Sequence, residues 1–112
     1  MEKKADWKKC ILDKDALIKD VLINFETTGL QIVLIASKNL SLIGVITDGD
    51  IRRAFLSNLT TNSKASEVMT KTPITIKKEL SHMDAIELMK LKQIRHIPIV
   101  DEKNFIQGIH FL

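Results

Sequence analysis

The chain has 112 residues, of which 45% are hydrophobic, and its 17 basic and 14 acidic residues give a formal net charge of +3. This length suits one ordinary domain, or two small halves that share a core, and the scattered basic residues argue against a nucleic-acid-binding surface. The single cysteine, Cys10, excludes an internal disulfide and favours a cytoplasmic location. The sequence contains no apolar run of about 18 residues and no signal-peptide pattern, so we expect no membrane partner.

The first predicted elements are a short strand at residues 10–12 and an amphipathic helix at about 15–28. The helix is indicated by apolar residues that recur at helical spacing on one face: Leu17, Ile18, Val21, Leu22 and Phe25. Two aliphatic strands follow at about 31–36 and 42–47, and their short polar connection favours an antiparallel hairpin. The strand–helix–strand order before the hairpin favours a right-handed parallel crossover.

The second strand of this hairpin ends in a corner of concentrated polar chemistry. Residues 47–50 read Thr-Asp-Gly-Asp, and a helical-looking stretch with Arg52 and Arg53 follows. A strand-to-helix junction offers polar side chains and free backbone N–H groups to a sugar or phosphate. The same spacing also fits an N-terminal capping box, in which Thr47 is the N-cap and Asp50 reaches back. The residues alone leave both interpretations open.

The remainder of the chain repeats the pattern of the first half. A polar segment at 58–71 predicts a linker, with one helical turn at about 65–69. Beyond it we expect a strand at about 74–76, a helix at about 81–92 and two further strands at about 96–100 and 105–111. The helix opens on Ser81 and has Asp84 three residues later, which fits a capping box.

A constant offset of 64 residues, the separation of Gly44 and Gly108, relates the two halves. It aligns the strand sequence at 30–36 with that at 94–100 without a gap. A spacing shared by helix, strand and glycine positions indicates an internal duplication. The predicted fold class is mixed α/β, with two tandem repeats of the order β-α-β-β-α. We expect the repeats to pack pseudo-symmetrically face to face, because each alone buries too little apolar surface.

This tandem unit resembles the cystathionine-β-synthase (CBS) domain pair, or Bateman module. The resemblance is carried by Gly-Val-Ile-Thr-Asp-Gly-Asp at 44–50, the linker sequence at 66–76 and Arg-His-Ile-Pro-Ile-Val-Asp at 95–101. The counterpart of Asp50 would lie beyond Leu112, so the second repeat lacks its closing helix. We therefore expect the chain to be a piece of a longer protein or a truncated product.

The domain boundaries that we predict follow the two repeats. They are an N-terminal extension (1–9), a first repeat (10–59), a linker (60–72) and a second repeat (73–112). The resemblance implies that this unit is regulatory and is not itself an enzyme. It also implies a homodimer that pairs through its helices.

The resemblance implies an adenine nucleotide of the AMP, ADP or ATP class as ligand, and no required cofactor. The ligand would bind in the cleft between the repeats, on residues from both: Val45, Thr47, Asp50, Arg53, Ala65, Met69, Ile94, Arg95 and His96. Thr47 and Asp50 would hold phosphate and ribose, and the residues of the other repeat and the linker would line the adenine. The mirror site would need Phe111 in the place of Thr47, so we expect it to be absent.

The full-length context is also suggested by resemblance. The motif through Arg53, together with Trp7-Lys8-Lys9, resembles the N-terminal modules of sugar-1-phosphate nucleotidyltransferases of the mannose-1-phosphate guanylyltransferase kind. We therefore expect a transferase domain C-terminal to the module. The alternative is a module attached to a sugar-phosphate isomerase.

Three other functions remain as alternatives. The first is a structural dimerisation module with an empty cleft. The second is an enzyme that uses Asp48 and Asp50 as an acid/base pair, for which the sequence supplies no facing partner. The third is nucleic-acid binding, which the charge pattern disfavours. No metal site is predicted, because His82, His96 and His110 are not spaced as ligands.

Overall fold

The computed structural model describes residues 6–112. Most of the predicted N-terminal extension therefore lies outside the described residues. The first half contains, in chain order, strand β1 (Ile11–Leu12), helix α1 (Ile18–Thr28), strand β2 (Ile32–Ala36), strand β3 (Leu42–Thr47) and helix α2 (Asp48–Leu56). The second half contains α3, β4 and β5, at His82–Lys92, His96–Val100 and Ile106–Phe111. Short 3-10 turns form at Trp7–Cys10 and Ala65–Glu67. The predicted mixed α/β fold is confirmed.

Strand β2 is the centre of the first sheet, where β1 pairs with it in parallel and β3 in antiparallel orientation. All five of its residues are buried. Val33 and Ile35 point into the core under α1 and α2, whereas Ile32 and Leu34 belong to a cluster that includes residues of the second half. A strand buried on both faces has to be apolar throughout, which explains its continuous aliphatic sequence.

Helix α1 begins three residues later than the sequence pattern predicts. Its first turn is fixed by Asp20, whose carboxylate accepts the backbone N–H of Leu17 at 2.9 Å. The preceding residues are held by the linker instead, because the C=O of Ala16 accepts the N–H of Ala65 at 2.7 Å. The helix ends at Gly29, which has a φ of 72° and donates its N–H to Phe25 O. A left-handed residue at this position closes the helix at little cost when it is glycine.

The duplication seen in the sequence is present in the backbone geometry. Ile35 pairs with Gly44 in one hairpin and Ile99 with Gly108 in the other, and a register shift follows in each. Left-handed residues also recur at the same offset of 64, at Gly29 and Gln93 and at Leu40 and Asn104. The tandem repeat is therefore a repeat of conformation as well as of sequence.

Two equivalent hydrogen bonds join the halves. The N–H of Leu42 donates to Asn104 O at 3.0 Å, and that of Ile106 donates to Leu40 O at 2.9 Å. Each bond maps onto the other through the sequence offset, so the junction has pseudo-twofold symmetry. Buried apolar residues from both halves fill the space beside it: Ile32, Leu34, Ala36, Leu42, Val45, Val100 and Ile106.

The strand predicted at residues 74–76 does not form. Only Ile76 makes a bridge there, in parallel with Ile99. This bridge corresponds to the pairing of Leu12 with Ile35 in the first half. Pro98 on the facing strand β4 has no backbone N–H to donate to Ile74 O, so the parallel pairing does not extend from Ile76 towards Ile74. Among the helices of the described part, none is both long enough and apolar enough to cross a membrane.

Candidate functional site

A cavity of about 800 Å³ opens between the corner where β3 becomes α2 and the start of β4. Its walls come from four parts of the chain: the start of β2, the strand-to-helix corner, the end of the linker and the segment that enters β4. The site therefore combines residues of both repeats. This is the cleft in which the family resemblance implied a ligand site.

Asp50 is the buried carboxylate of this cavity, with 8% of its surface exposed. Its Oδ2 accepts the backbone N–H of Thr47 at 2.9 Å and the Thr47 hydroxyl at 3.2 Å. Its Oδ1 accepts Arg53 Nη2 at 2.9 Å and the Thr70 hydroxyl at 3.1 Å. A carboxylate offers about four acceptor positions, so the chain itself occupies the full hydrogen-bonding capacity of Asp50.

The capping hypothesis for Thr47 and Asp50 is confirmed in one half. Asp50 reaches back to the N–H of Thr47, as in a capping box. Among the described residues, the Thr47 side chain makes no capping bond to a backbone N–H of α2; its hydroxyl donates to Asp50 instead. Both residues thus stabilise the helix start while they face the cavity.

Gly49 leaves room for the guanidinium of Arg53. A Cβ built on Gly49 would lie 3.2 Å from Arg53 Nη1 and 3.3 Å from Nη2. The absence of a side chain lets Arg53 cross this position to reach Asp50. The Arg53 side chain nevertheless remains 70% exposed, so it is anchored only at its tip.

Thr70 brings the linker to the site, and the sequence analysis did not identify it. Its backbone pairs with Val45 in both directions, with N···O distances of 2.8 and 3.0 Å. This pairing lays the linker directly over Gly44, where a Cβ would come within 2.8 Å of Met69 Sδ and of Thr70 O. The only hint in the sequence was the position of Thr70 within the linker motif.

The opposite wall is formed by Ile94, Arg95 and His96. The rings of His96 and Phe111 meet edge to face, with centroids 5.4 Å apart. Burial, and to a smaller extent the charge of Arg95, lowers the pKa of His96 below its usual value. At neutral pH this wall therefore presents an uncharged imidazole beside an aliphatic side chain.

All but two of the predicted ligand residues line the cavity: Val45, Thr47, Asp50, Arg53, Ile94, Arg95 and His96. Among the described residues, Ala65 and Met69 are not part of its walls. Ala65 is fully buried in the core of the first repeat. Met69 packs against Gly44 and against the core of the first repeat. Residues that the sequence analysis did not select also line it: Gln31, Ile32, Thr72, Pro73, Ile74, Gln93 and Pro98.

The cavity walls carry more positive than negative charge. Arg52, Arg53 and Arg95 face two carboxylates, Asp48 and Asp50. Asp48 pairs with Arg52 at 2.8 Å, but both side chains are more than half exposed, so this ion pair adds little stability. The excess positive charge and the N-terminus of α2 favour an anionic ligand.

The mirror position across the pseudo-twofold axis has different chemistry. Phe111 stands there in the place of Thr47, and Trp7 packs against the same buried cluster as Phe111. Trp7 Nε1 lies 4.0 Å from a Cβ built on Gly108, the counterpart of the glycine under the linker. Apolar side chains thus occupy the region equivalent to the polar corner.

Other reactive groups of the described chain lie apart from this cavity. Cys10 is fully buried, and burial, with a smaller effect of Asp6, raises the pKa of its thiol to about 11. His82 and His110 contact each other through their Nδ1 atoms at 2.8 Å. Within residues 6–112, no group of three or more His, Cys, Asp or Glu side chains is arranged to hold a metal ion.

A family model for the CBS domain matches residues 7–57 and 65–109. The chain belongs to the CBS-domain family. It is a pair of CBS domains, which are regulatory and not catalytic modules. The chain is similar to a CBS domain protein from Pyrobaculum aerophilum, solved in complex with AMP, with a TM-score of 0.80 and 19% identity. That match covers 99% of this chain and 82% of the other, and it shows the shared fold.

Two curated relatives are arabinose 5-phosphate isomerases. KdsD of Francisella tularensis is 37% identical over 93 residues, which make up 82% of this chain and 28% of that protein. GutQ of Salmonella typhi is 32% identical over 91 residues, which make up 81% of this chain and 28% of that protein. The chain thus spans less than a third of the length of these relatives. They favour the isomerase alternative and give no support to the predicted nucleotidyltransferase.

Proposed function

We propose that this chain is a regulatory module that binds an adenine nucleotide in the cavity between its two repeats. The observation that carries the proposal is the pairing of unlike walls: a carboxylate and a hydroxyl at a helix N-terminus on one side, and Ile94 with uncharged His96 on the other. The first wall suits a ribose and phosphate, and the second suits the face of a base. The AMP held by the Pyrobaculum aerophilum protein supports this class of ligand.

We further propose that the module acts on a sugar-phosphate isomerase domain in the full-length protein. The support comes from the two isomerase relatives, in which the matched region is 28% of the length. A ligand in the cavity would regulate such a domain only through different affinities for two arrangements of the module. We prefer this attachment to the nucleotidyltransferase that the resemblance suggested, which these relatives do not support.

Thermal unfolding with added nucleotides tests the ligand proposal. Binding stabilises the native state by about 2.7 kcal/mol at a ligand concentration of 100 Kd, which corresponds to a rise in Tm of roughly 10 °C. We expect AMP, ADP or ATP to raise Tm in a concentration-dependent way and CMP to have a smaller effect. An unchanged Tm with every adenine nucleotide would refute the proposal.

A matched pair of aspartate variants separates binding from stability. Asp50→Asn changes the cavity carboxylate, and we expect it to abolish the ligand-induced shift in Tm. Asp101→Asn changes a carboxylate that accepts the N–H groups of Lys103 and Phe105 at 2.9 Å in the β4–β5 turn. This control should lower the basal Tm but keep the shift. Equal ligand responses in the two variants would show that the nucleotide binds elsewhere.

A structural module without a ligand is the second candidate, and one observation favours it. Asp50 is saturated by donors from the chain, so the corner is complete without a ligand. We propose that the module also self-associates through its helices, which expose large apolar side chains: Ile23, Phe55, Leu56, Met83 and Leu91. A stable dimer by light scattering, without any nucleotide response, would establish this second function instead.

A further inference from the structure

The two oxygens of the Asp50 carboxylate are held by donors of very different kinds. Both donors to Oδ2 come from Thr47, the residue at which α2 begins. Breaking them would release the helix start. The donors to Oδ1 are two side chains, the Arg53 guanidinium and the Thr70 hydroxyl, so neither bond involves a backbone group. Oδ1 is therefore the oxygen whose partners can be exchanged.

Arg53 is the more exchangeable of these two partners. Its side chain is 70% exposed, against 9% for Asp50, and it reaches the carboxylate across the open position of Gly49. A rotation of this long side chain moves the guanidinium away without disturbing the backbone. The guanidinium would then stand in the cavity wall without its carboxylate partner. Such a group binds phosphate well, because its N–H groups match two phosphate oxygens.

We propose that Arg53 exchanges partners when the cavity is filled, leaving Asp50 to the ribose hydroxyls and binding the phosphate of the same ligand. This inference rests on the proposed nucleotide-binding function and assigns the determinant of its selectivity. A ligand that carries both groups replaces every contact it breaks. A nucleoside such as adenosine hydrogen-bonds Asp50 through its ribose and displaces Arg53, but it carries no phosphate that Arg53 could bind instead. The exchange therefore makes the site selective for adenosine phosphates over adenosine.

Titration calorimetry with adenosine and AMP on the wild-type chain and Arg53→Gln tests the exchange. The wild type should bind AMP about 10- to 100-fold more tightly than adenosine, the factor expected from one charge-assisted hydrogen-bonding interaction. In Arg53→Gln, AMP should bind more weakly and adenosine more tightly, because adenosine no longer displaces a charged partner from Asp50. The AMP-to-adenosine preference should fall by about tenfold or more.

Two further variants separate the exchange from a general effect of charge. Arg52→Gln removes the same charge from the cavity wall, but its partner is Asp48 and not Asp50. It should weaken AMP without strengthening adenosine. Lys64→Gln removes an exposed charge outside the cavity and should alter neither affinity. If Arg53→Gln does not fold, Arg53→Lys serves in its place and should also reduce the preference for AMP.

The outcomes are distinct. Equal affinities of the wild type for adenosine and AMP, or an unchanged preference in the Arg53 variant, would overturn the exchange while the nucleotide site stands. Adenosine binding that improves equally in the Arg52 and Arg53 variants would also overturn it. Failure of the wild type to bind adenosine, AMP, ADP and ATP would remove the proposed function and this inference with it.

Discussion

The two equivalent glycines, Gly44 and Gly108, should respond in opposite ways to replacement by alanine. They occupy the same place in the two hairpins, opposite Ile35 and Ile99. A Cβ on Gly44 would lie 2.8 Å from the backbone oxygen of Thr70, closer than real Cβ contacts allow. A Cβ on Gly108 would meet Ile99 Cδ1 at 3.5 Å, an ordinary van der Waals distance.

The magnitude follows from what must move. The Thr70 oxygen accepts the N–H of Val45, and the Thr70 N–H donates to Val45 O, so a Cβ on Gly44 either strains this pairing or breaks it. Overpacking costs about 1–3 kcal/mol and each lost hydrogen bond about 1 kcal/mol, partly offset by about 0.5 kcal/mol from a stiffer unfolded chain. We expect Gly44→Ala to destabilise the protein by about 2–3 kcal/mol. Gly108→Ala keeps the favourable unfolded-state effect and should stabilise it by about 0.5 kcal/mol.

Denaturant and thermal unfolding of the two variants measure this difference. A gap of about 3 kcal/mol corresponds to roughly 12 °C in Tm for a domain of this size. Gly44→Ala should also weaken nucleotide binding, because it shifts the linker wall of the cavity at Thr70, whereas Gly108→Ala should not. Equal loss of stability in the two variants, or a harmless Gly44→Ala, would refute the close approach of the linker to β3.

Three further outcomes are expected. Leu40 has a left-handed φ of 68°, and its counterpart Asn104 has a φ of 70°. Because asparagine tolerates this conformation better than leucine, Leu40→Asn should raise the free energy of unfolding by about 1 kcal/mol in denaturant titrations. A loss of stability would contradict this expectation. Burial raises the pKa of the Cys10 thiol to about 11. At pH 8 this thiol should therefore react with a thiol reagent at least about a hundredfold more slowly in the folded chain than in the urea-unfolded chain. Equal rates would count against the burial of Cys10. The pKa of His96 is lower in the folded state than its unfolded value of about 6.5, so the unfolded state takes up the proton first as the pH falls. The free energy of unfolding should therefore decrease as the pH drops below about 6.5. His96→Gln should lose this His96-dependent decrease, and a pH profile identical to that of the wild type would exclude the contribution of His96.

The duplication was the part of the fold that the sequence could predict in detail. Matching Gly44 with Gly108 anticipated both the paired hairpins and the junction between the halves, because the offset preserves strand register. The strand at 74–76 was expected because the second repeat was read like the first, which begins with a strand at 10–12. Pro98 on β4 lacks the backbone N–H that a second parallel bridge needs, so one bridge is all that forms.

From spacing alone, the candidate site was predictable only at Thr47 and Asp50, whereas the opposite wall at Ile94–His96 was predicted through the family resemblance. Thr47 and Asp50 are three residues apart at a helix start, so their proximity follows from spacing alone. The contact between Asp50 and Thr70 spans 20 positions and depends on how the linker lies over β3. Ala65 has the small size that suits a ligand wall, but the same property lets it pack fully buried beneath α1. Burial of this kind is decided by tertiary packing, which a single sequence does not specify.

Thr70 connects the chemistry of the cavity to the packing of the linker. Its hydroxyl binds Asp50, but its backbone is held separately by Val45. A ligand that displaces the hydroxyl therefore leaves the linker paired to β3, and this wall of the cavity keeps its position. The opposite wall, at Ile94–His96, belongs to the second repeat, which joins the first through the bonds at Leu42 and Ile106 and the apolar cluster around them. The junction between the repeats has as many backbone hydrogen bonds as the linker pairing, and the Asn104 amide adds one more to Leu42 O. We therefore expect a ligand that contacts both walls to change the orientation of the repeats only through different affinities for two such orientations.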